Sequence, residues 1–118
     1  MTIFQNKINL VIGLGRSGYW VSKFLNSKGE RVIVLEEKIN DQLAIYKKEL
    51  ENIGIEVYLG FPFIFEKICQ WIKNINFVIL SPAIDVNNQT VIKLRNEGIK
   101  VIGEANIELL LASTNVAE

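Results

Sequence analysis

The sequence predicts a three-layer α/β fold in which a parallel sheet of five strands lies between two layers of helices. Three observations support this prediction: short apolar segments alternate with longer amphipathic ones, β-branched residues are concentrated in the short segments, and glycines separate the two kinds. Strands that alternate with helices form parallel sheets through right-handed crossovers. The expected strand order is 3-2-1-4-5, which is typical of a doubly wound sheet.

The first half of the chain contains three of the predicted strands and two of the helices. The strands are Ile8–Ile12, Arg31–Glu36 and Glu56–Leu59. A helix over Ser17–Lys28 follows the first strand, and four residues form its predicted apolar stripe: Trp20, Val21, Phe24 and Leu25. A second helix follows a capping residue at Asp41 and ends at Gly54.

The same alternation continues through the second half of the chain. A third helix is predicted where four apolar residues recur at helical spacing: Phe65, Ile68, Cys69 and Ile72. Cys69 is therefore expected to lie in the core. A strand over Phe77–Leu80 is followed by a fourth helix that begins at a cap on Asn87 or Asn88. A last strand spans Lys100–Ile102, and a final helix is predicted over Glu104–Leu111.

Composition restricts the classes of function that the chain can have. Its 118 residues fit one domain, expected to cover residues 1–118, and 13 basic residues balance 13 acidic ones. A neutral chain has no bulk attraction to nucleic acid, and no apolar run approaches the ~20 residues that span a bilayer. The chain has no histidine and one cysteine, which excludes a histidine triad, a histidine-ligated metal and an internal disulfide. We therefore expect a cytoplasmic domain that neither binds nucleic acid nor spans a membrane.

The strongest local feature is a glycine-rich segment at residues 13–18, with the sequence Gly-Leu-Gly-Arg-Ser-Gly, between a predicted strand and a predicted helix. A lone match to this pattern is weak, but the strand–turn–helix context makes it meaningful. Gly13 permits a tight turn, Gly15 leaves room for a phosphate, and Gly18 allows close packing of helix and strand. This segment predicts a phosphate-binding loop in a Rossmann-like fold, although a tight turn without a ligand remains the alternative.

Two polar residues within this loop are candidate contacts for the phosphate. The N-terminus of the following helix offers free N–H groups and the positive end of its dipole to a diphosphate. Arg16 adds a positive charge there, and Ser17 adds a hydroxyl donor or caps the helix.

An acidic turn follows the second predicted strand. Glu36 ends that strand at a position where an acidic side chain commonly meets a ribose hydroxyl, and Glu37 and Lys38 continue the turn. A carboxylate there disfavours a 2′-phosphate, so NADP fits less well than NAD. The alternative is an ordinary solvated turn without a ligand.

A second turn reaches the same edge of the sheet after the fourth strand. Ser81, Pro82 and Ala83 follow that strand, and ligands of open α/β sheets bind at the carboxyl ends of the strands where their order reverses. Small residues suit a close ligand, but Ser-Pro also initiates turns, and spacing alone does not decide between the two.

No catalytic residue and no metal ligand is predicted. The sequence has no Gly-x-x-x-x-Gly-Lys-Ser/Thr motif, no clear pair of acid and base carboxylates and no activated nucleophile. The aromatic segment at residues 60–63 is interpreted as a packed turn in preference to a pocket wall. Taken alone, the chain is a binding module.

Three ordered motifs resemble the N-terminal domain of the Mur ligases of peptidoglycan synthesis, in particular the branch that adds D-glutamate. They span nearly the whole chain: Val11–Gly18, Phe77–Ile84 and Val101–Glu104 followed by Ile107–Leu109. In that family the domain binds the uridine diphosphate end of UDP-N-acetylmuramoyl-L-alanine.

The resemblance implies a role for each candidate residue. Arg16 and Ser17 lie near the nucleotide, the Glu36–Lys38 turn near the uracil and ribose, and the Ser81–Ala83 turn on the phosphate side. Two positions depart from the family pattern: Ala83 replaces its usual glycine, and Glu-Glu-Lys at residues 36–38 replaces an Asp-Thr-Arg type of triplet.

For an intact ligase, the resemblance implies ATP-dependent amide-bond formation with Mg²⁺, in which D-glutamate attacks an acyl phosphate of the substrate. The C-terminal residues 113–118 look like the start of a connection, so we expect one domain of a longer protein. The chain alone is then expected to be inactive and to hold no cofactor.

Two other interpretations share part of these observations. An NAD-binding module of a dehydrogenase or regulatory protein accounts for the glycine loop and Glu36, but it does not predict the other two motifs. A pure interaction domain would keep the fold without a ligand, since fold alone does not determine function.

Overall fold

The fold is described for residues 7–104 by a computed structural model. Five strands and four α-helices alternate along these residues: β1 (Ile8–Ile12), α1 (Arg16–Ser27), β2 (Arg31–Glu36), α2 (Asp41–Asn52), β3 (Glu56–Leu59), α3 (Phe65–Ile68), β4 (Ile75–Leu80), α4 (Gln89–Asn96) and β5 (Lys100–Gly103). A 3-10 helix over Cys69–Asn74 joins α3 to β4. Within the described residues, no helix is long and apolar enough to cross a bilayer.

The strands form one parallel sheet in the order β3-β2-β1-β4-β5, which confirms the predicted fold class and order. Strand β1 is central, and all five of its residues are buried because helices cover both faces of the sheet. The order reverses between β1 and β4, where the register shifts after Ile8. The two strands therefore end side by side at Ile12 and Leu80.

Two apolar cores lie on opposite faces of the sheet, since successive side chains of a strand point to opposite sides. The first core includes residues of β1, β2, β4, α3 and α4, such as Leu10, Ile33, Val78 and Leu94. The second includes residues of β1, β2, β3, α1 and α2, such as Val11, Val34, Leu25 and Leu50.

The predicted apolar stripe of α1 is wrong in part. Trp20 is 58% exposed and Phe24 is 41% exposed, whereas the buried residues of this helix are Gly18, Ser22 and Leu25. The buried side is narrow because α1 begins in direct contact with the backbone that precedes it, at Gly18. Small residues fit against this surface, so the two large aromatic side chains face outward.

The third predicted helix is also different. Only one α-helical turn forms, and the 3-10 helix that follows has 3.0 residues per turn, which places Ile68 and Trp71 on one side. Cys69 is half-buried, so its predicted core position is wrong.

The predicted cap of α2 is wrong by one residue, whereas the predicted cap of α4 at Asn87 or Asn88 is confirmed at Asn88. Asn40, not Asp41, caps α2 by accepting a hydrogen bond from the Leu43 N–H at 2.8 Å. Asn88 caps α4 by accepting from the Thr90 N–H at 2.7 Å. The final helix predicted over Glu104–Leu111 lies outside the described residues except for its first residue.

Candidate functional site

A cleft of about 750 Å³ opens at the carboxyl ends of the strands, where the strand order reverses. Eight of the predicted site residues line it: Gly13, Gly15, Arg16, Glu36, Glu37, Lys38, Ser81 and Ala83. Three others do not line it: Ser17, Gly18 and Pro82. The topology thus brings the three separate predicted segments to one opening.

Gly13 forms the closed floor of the cleft between β1 and β4. Its φ is +103°, a conformation that L side chains rarely adopt, and an added Cβ would lie 2.5 Å from Ser81 Cβ. Backbone bonds hold both sides: the Gly13 N–H donates to the Leu35 oxygen at 2.8 Å, and the Ser81 N–H donates to the Ile12 oxygen at 2.9 Å. A side chain at Gly13 would therefore push the two turns apart.

Gly18 allows the first turn of α1 to pack directly against the glycine loop. A Cβ at this position would lie 2.2 Å from the Gly13 oxygen, so only glycine allows α1 to start this close to β1. Gly18 is buried and takes no part in the cleft lining.

Gly15 differs from the other two glycines because it faces open space. An added Cβ would meet no atom within 4 Å, and its φ of −104° and ψ of −158° are extended values that any residue adopts. Gly15 is the N-cap of α1, and no side chain caps the helix there. The first turn of α1 therefore presents uncapped N–H groups and its positive dipole end beside the cleft, together with the exposed Arg16.

The Glu36 carboxylate is turned toward the glycine loop. Its Oε1 accepts a hydrogen bond from the Leu14 N–H at 2.7 Å, and its Oε2 accepts one from the Lys38 N–H at 2.8 Å. Both carboxylate oxygens thus bind backbone amides of the protein in this structure. From the sequence, Glu36 was predicted to lie near the ribose and uracil or to be a solvated residue, and spacing alone gave no sign of these bonds.

Glu37 and Lys38 lie on the rim of the cleft and are both exposed. Glu37 Oε2 accepts a hydrogen bond from the Phe63 N–H at 3.2 Å, which ties the turn after β2 to the loop after β3. The rim therefore carries a carboxylate and an ammonium group side by side.

The Ser81–Ala83 turn forms the opposite wall. The Ala83 N–H donates to Ser81 Oγ at 3.2 Å, and the Ile84 N–H donates to the Ser81 oxygen at 3.0 Å. Among the described residues, no residue other than glycine has a positive φ, so Ala83 fits this turn without backbone strain. Replacement of the family's usual glycine is thus accommodated locally.

Ser17 does not line the cleft, and its hydroxyl instead bonds to Glu104, the residue that follows β5. Burial raises the pKa of the Glu104 carboxyl above its usual value, and a hydrogen bond from Ser17 partly opposes this effect. A Cβ on Gly18 would lie 3.7 Å from Glu104 Oε2, so this carboxylate packs beside the first turn of α1. Glu104 was not predicted to be a neighbour of the site, although its place after β5 puts it at the same sheet edge.

Comparison with known proteins identifies the family of this domain. A family model described as Mur ligase MurD-like, N-terminal domain, matches residues 7–103. The chain belongs to this family. The predicted resemblance is thereby confirmed.

Relatives named UDP-N-acetylmuramoylalanine–D-glutamate ligase share this MurD-like region. Two proteins of Prochlorococcus marinus, from strains MIT 9515 and MIT 9312, are each 46% identical to it, over 103 and 112 residues. These alignments cover 87% and 94% of this chain but only 22% and 24% of the relatives. The chain therefore spans about a quarter of the length of the curated relatives it matches.

A solved structure described as the Shewanella denitrificans Kef CTD in AMP-bound form also resembles this MurD-like domain. The TM-score is 0.54 with 18% sequence identity, and the match covers 92% of this chain and 68% of the other. At this identity, the likeness supports the fold alone.

Aromatic side chains form part of the cleft wall in this MurD-like domain. Phe61 and Phe63 line the cleft while also packing against a core, so the segment for which a packed turn was preferred to a pocket wall has both roles. Tyr46 of α2 also lines the cleft and stacks on Tyr19, with ring centroids 4.5 Å apart. The signal for the first pair was the Gly-Phe-Pro-Phe sequence directly after β3, whereas Tyr46 had no distinguishing pattern.

Proposed function

We propose that this domain binds the uridine diphosphate end of UDP-N-acetylmuramoyl-L-alanine as the substrate-binding domain of a ligase that adds D-glutamate in peptidoglycan precursor synthesis. Family membership and the names of the relatives support this proposal. The other part of the proposal, the placement of the nucleotide, is supported by the cleft at the carboxyl ends of the strands.

The open position at Gly15 is the observation that carries the proposal. Of the three glycines in the loop, Gly13 and Gly18 would clash with neighbouring atoms if they carried a Cβ, whereas Gly15 would not. The fold itself therefore does not need a glycine at position 15, but close approach of a phosphate to the first turn of α1 does. Arg16 adds a positive charge at the same place.

The nucleoside is proposed to lie against the polar rim and the aromatic wall. Glu37 and Lys38 offer hydrogen-bonding groups, and Phe61 and Phe63, joined to the same rim through the bond between the Phe63 N–H and Glu37, offer apolar surface. A base has a flat apolar face and a polar edge, which suits a cleft with both kinds of lining.

The intact ligase is proposed to act in the cytoplasm and to use ATP and Mg²⁺, which supply the phosphoryl transfer that activates the substrate carboxylate. Within residues 7–104, no group of three His, Cys, Asp or Glu side chains could hold a metal ion. These residues do not fit a Mg²⁺ site, so no step through the metal is assigned to them. We expect the 118-residue chain to form no ligated product on its own, and ATP-dependent product from the purified chain would contradict this.

A thermal-shift titration of the chain with UDP-N-acetylmuramoyl-L-alanine, UDP and NAD tests the proposed ligand. A ligand at 100 times its Kd stabilises the folded state by about 2.7 kcal/mol, which raises Tm by several degrees. Shifts with both uridine ligands and none with NAD are expected. A shift with NAD alone would favour the dinucleotide module and contradict the proposal.

The variant Gly15→Val tests where the phosphate binds, because its side chain enters open space and extended backbone suits valine. We expect a Tm close to that of the wild type without ligand and loss of the shift with UDP. An unchanged UDP shift would mean that the phosphate does not approach Gly15.

A further inference from the structure

We infer that Glu36 is a positioning residue whose carboxylate braces the glycine loop in its anion-binding conformation, and that it does not serve as a ribose contact. The inference rests on the proposed function, because it concerns how the same cleft acquires affinity for a nucleotide diphosphate. It also differs from the role that an acidic residue at the end of a second strand suggests by spacing alone.

The geometry supports a brace because one side chain connects two separate turns. Glu36 Oε1 binds the Leu14 N–H of the glycine loop at 2.7 Å, and Oε2 binds the Lys38 N–H at 2.8 Å. Hydrogen bonds between an ionised carboxylate and amides at such distances are stronger than bonds between neutral groups. With one strong hydrogen bond at each oxygen, the carboxylate is held in one orientation by two backbone amides.

The bond to Leu14 lies at the most adaptable part of the loop. Leu14 stands between Gly13 and Gly15, two residues whose backbones have the widest conformational freedom. Its side chain is 1% exposed, so both the side chain and the N–H are anchored. This anchoring fixes the direction in which the uncapped N–H groups after Gly15 point. It also means that the Leu14 amide is already bonded, and a phosphate must bind the amides that follow.

Charge makes the inference testable, because a brace and simple electrostatics predict opposite effects on anion binding. Glu36→Gln removes a negative charge from the cleft, which by Coulomb attraction alone strengthens the binding of a diphosphate. A glutamine also places an NH₂ group where one of the two amides needs an acceptor. Weaker binding by this variant would therefore report the loss of loop geometry.

The experiment compares UDP with 2′,3′-dideoxy-UDP, which lacks both ribose hydroxyls, by isothermal titration calorimetry on the 118-residue chain. We expect Glu36→Gln to weaken both ligands by the same factor, about tenfold, which corresponds to about 1.4 kcal/mol. A variant that weakens UDP but leaves dideoxy-UDP unchanged or tighter would overturn the inference in favour of a ribose contact.

Amide NMR spectra of the ligand-free chain test the brace independently of any nucleotide. Glu36→Gln is expected to move the Leu14 and Lys38 amide resonances. Glu37→Gln, which removes an equal charge from a carboxylate bonded to Phe63, is expected to leave the Leu14 resonance in place. An unmoved Leu14 resonance in Glu36→Gln would overturn the brace.

The calorimetric and NMR experiments distinguish failure of the proposed function from failure of the inference about Glu36. If the wild type binds no uridine nucleotide, the proposed function fails, while the NMR arm still decides whether the brace exists. If Glu36→Gln does not fold, Glu36→Asp is the second variant, since it keeps the charge but is too short to reach both amides. It is expected to weaken UDP and dideoxy-UDP alike, and selective weakening of UDP would overturn the inference.

Discussion

The two ends of the sheet differ in whether their polar groups are hydrogen-bonded within the protein. At the amino end, Asn9 is fully buried and its amide is saturated: Nδ2 donates to Glu30 Oε1 and to the Arg31 oxygen, and Oδ1 accepts from Asn76 Nδ2, all at 3.0 Å. At the carboxyl end, the first turn of α1 has no side-chain cap and faces the cleft.

From this difference we infer that polar groups at the amino end stabilise the fold, whereas those at the carboxyl end are available to bind a ligand. Buried polar groups that bind one another fix the register of the central strand. Polar groups left beside a cleft cost less because water reaches them, and they stay available to a partner. Mutations at the two ends should therefore separate stability from affinity.

The largest effect is expected for Gly18→Ala, at the closed underside of the carboxyl end. The new Cβ would lie 2.2 Å from the Gly13 oxygen, so α1 or the loop must move. We expect the free energy of unfolding to fall by about 3 kcal/mol or more and UDP affinity to fall with it, measured by urea denaturation and calorimetry. Gly15→Ala, in open space, is the control, and an equal loss of stability in both variants would break the distinction between open and closed positions.

Asn9→Leu tests the amino end. It removes three hydrogen bonds from a buried site while Glu30, Arg31 and Asn76 remain partly in contact with water. The expected loss is about 2 kcal/mol in the free energy of unfolding, with UDP affinity unchanged once the chain is folded. A clear drop in affinity of the folded variant would show that the two ends are coupled.

Ser22→Ala tests a buried polar group in the middle of α1, away from both ends of the sheet. Within the part of the chain that the structure describes, the buried Ser22 Oγ has no hydrogen-bond partner, and alanine favours a helix more than serine does. The variant is expected to gain about 1 kcal/mol in the free energy of unfolding. Ser27→Ala, which loses a bond to the Phe24 oxygen, should bring no such gain, and destabilisation by Ser22→Ala would contradict the prediction.

The smallest effect concerns pH and Glu104. Because burial raises the folded pKa of this carboxyl above its ordinary value of 4.5, its contribution to stability is complete below that value and is lost as pH rises through the folded pKa. Glu104→Gln lacks this loss, so its stability relative to the wild type should increase as pH rises from about 4 to about 7. Unfolding free energies at several pH values measure this difference, and a constant or shrinking difference would disprove it.

Much of the fold could be predicted because strand signals are local. The five strands of the described residues were all located; β4 begins two residues earlier than expected, at Ile75, and β5 ends one residue later, at Gly103. The face of α1 could not be predicted from hydropathy, since hydropathy ranks Trp20 above Ser22 without reference to the distance between helix and sheet. That distance is set by the contact of Gly18 with Gly13. The glycine motif predicted this close packing, but the apolar stripe of α1 was assigned from hydropathy without it.

The candidate site was predictable as a set of segments but not as a set of contacts. The glycine loop, the turn after β2 and the turn after β4 were each found from their position after a strand. The direction of the Glu36 carboxylate depends on how two turns approach each other, which no local pattern encodes. A packed turn was preferred to a pocket wall at residues 60–63 for a similar reason, because no local pattern shows that Phe61 contacts a core and the cleft together.

The pairing of β1 with β4 also has a consequence for the order of folding. The bond between Asn9 and Asn76 joins residues 67 positions apart, whereas β1 and β2 are separated only by α1. Contacts between distant segments form late because closing a long loop costs entropy. Since the cleft lies at this seam, we expect recovery of UDP binding in stopped-flow refolding to lag behind the recovery of helical signal. The nucleotide would then recognise only chains that have completed their central strand pair.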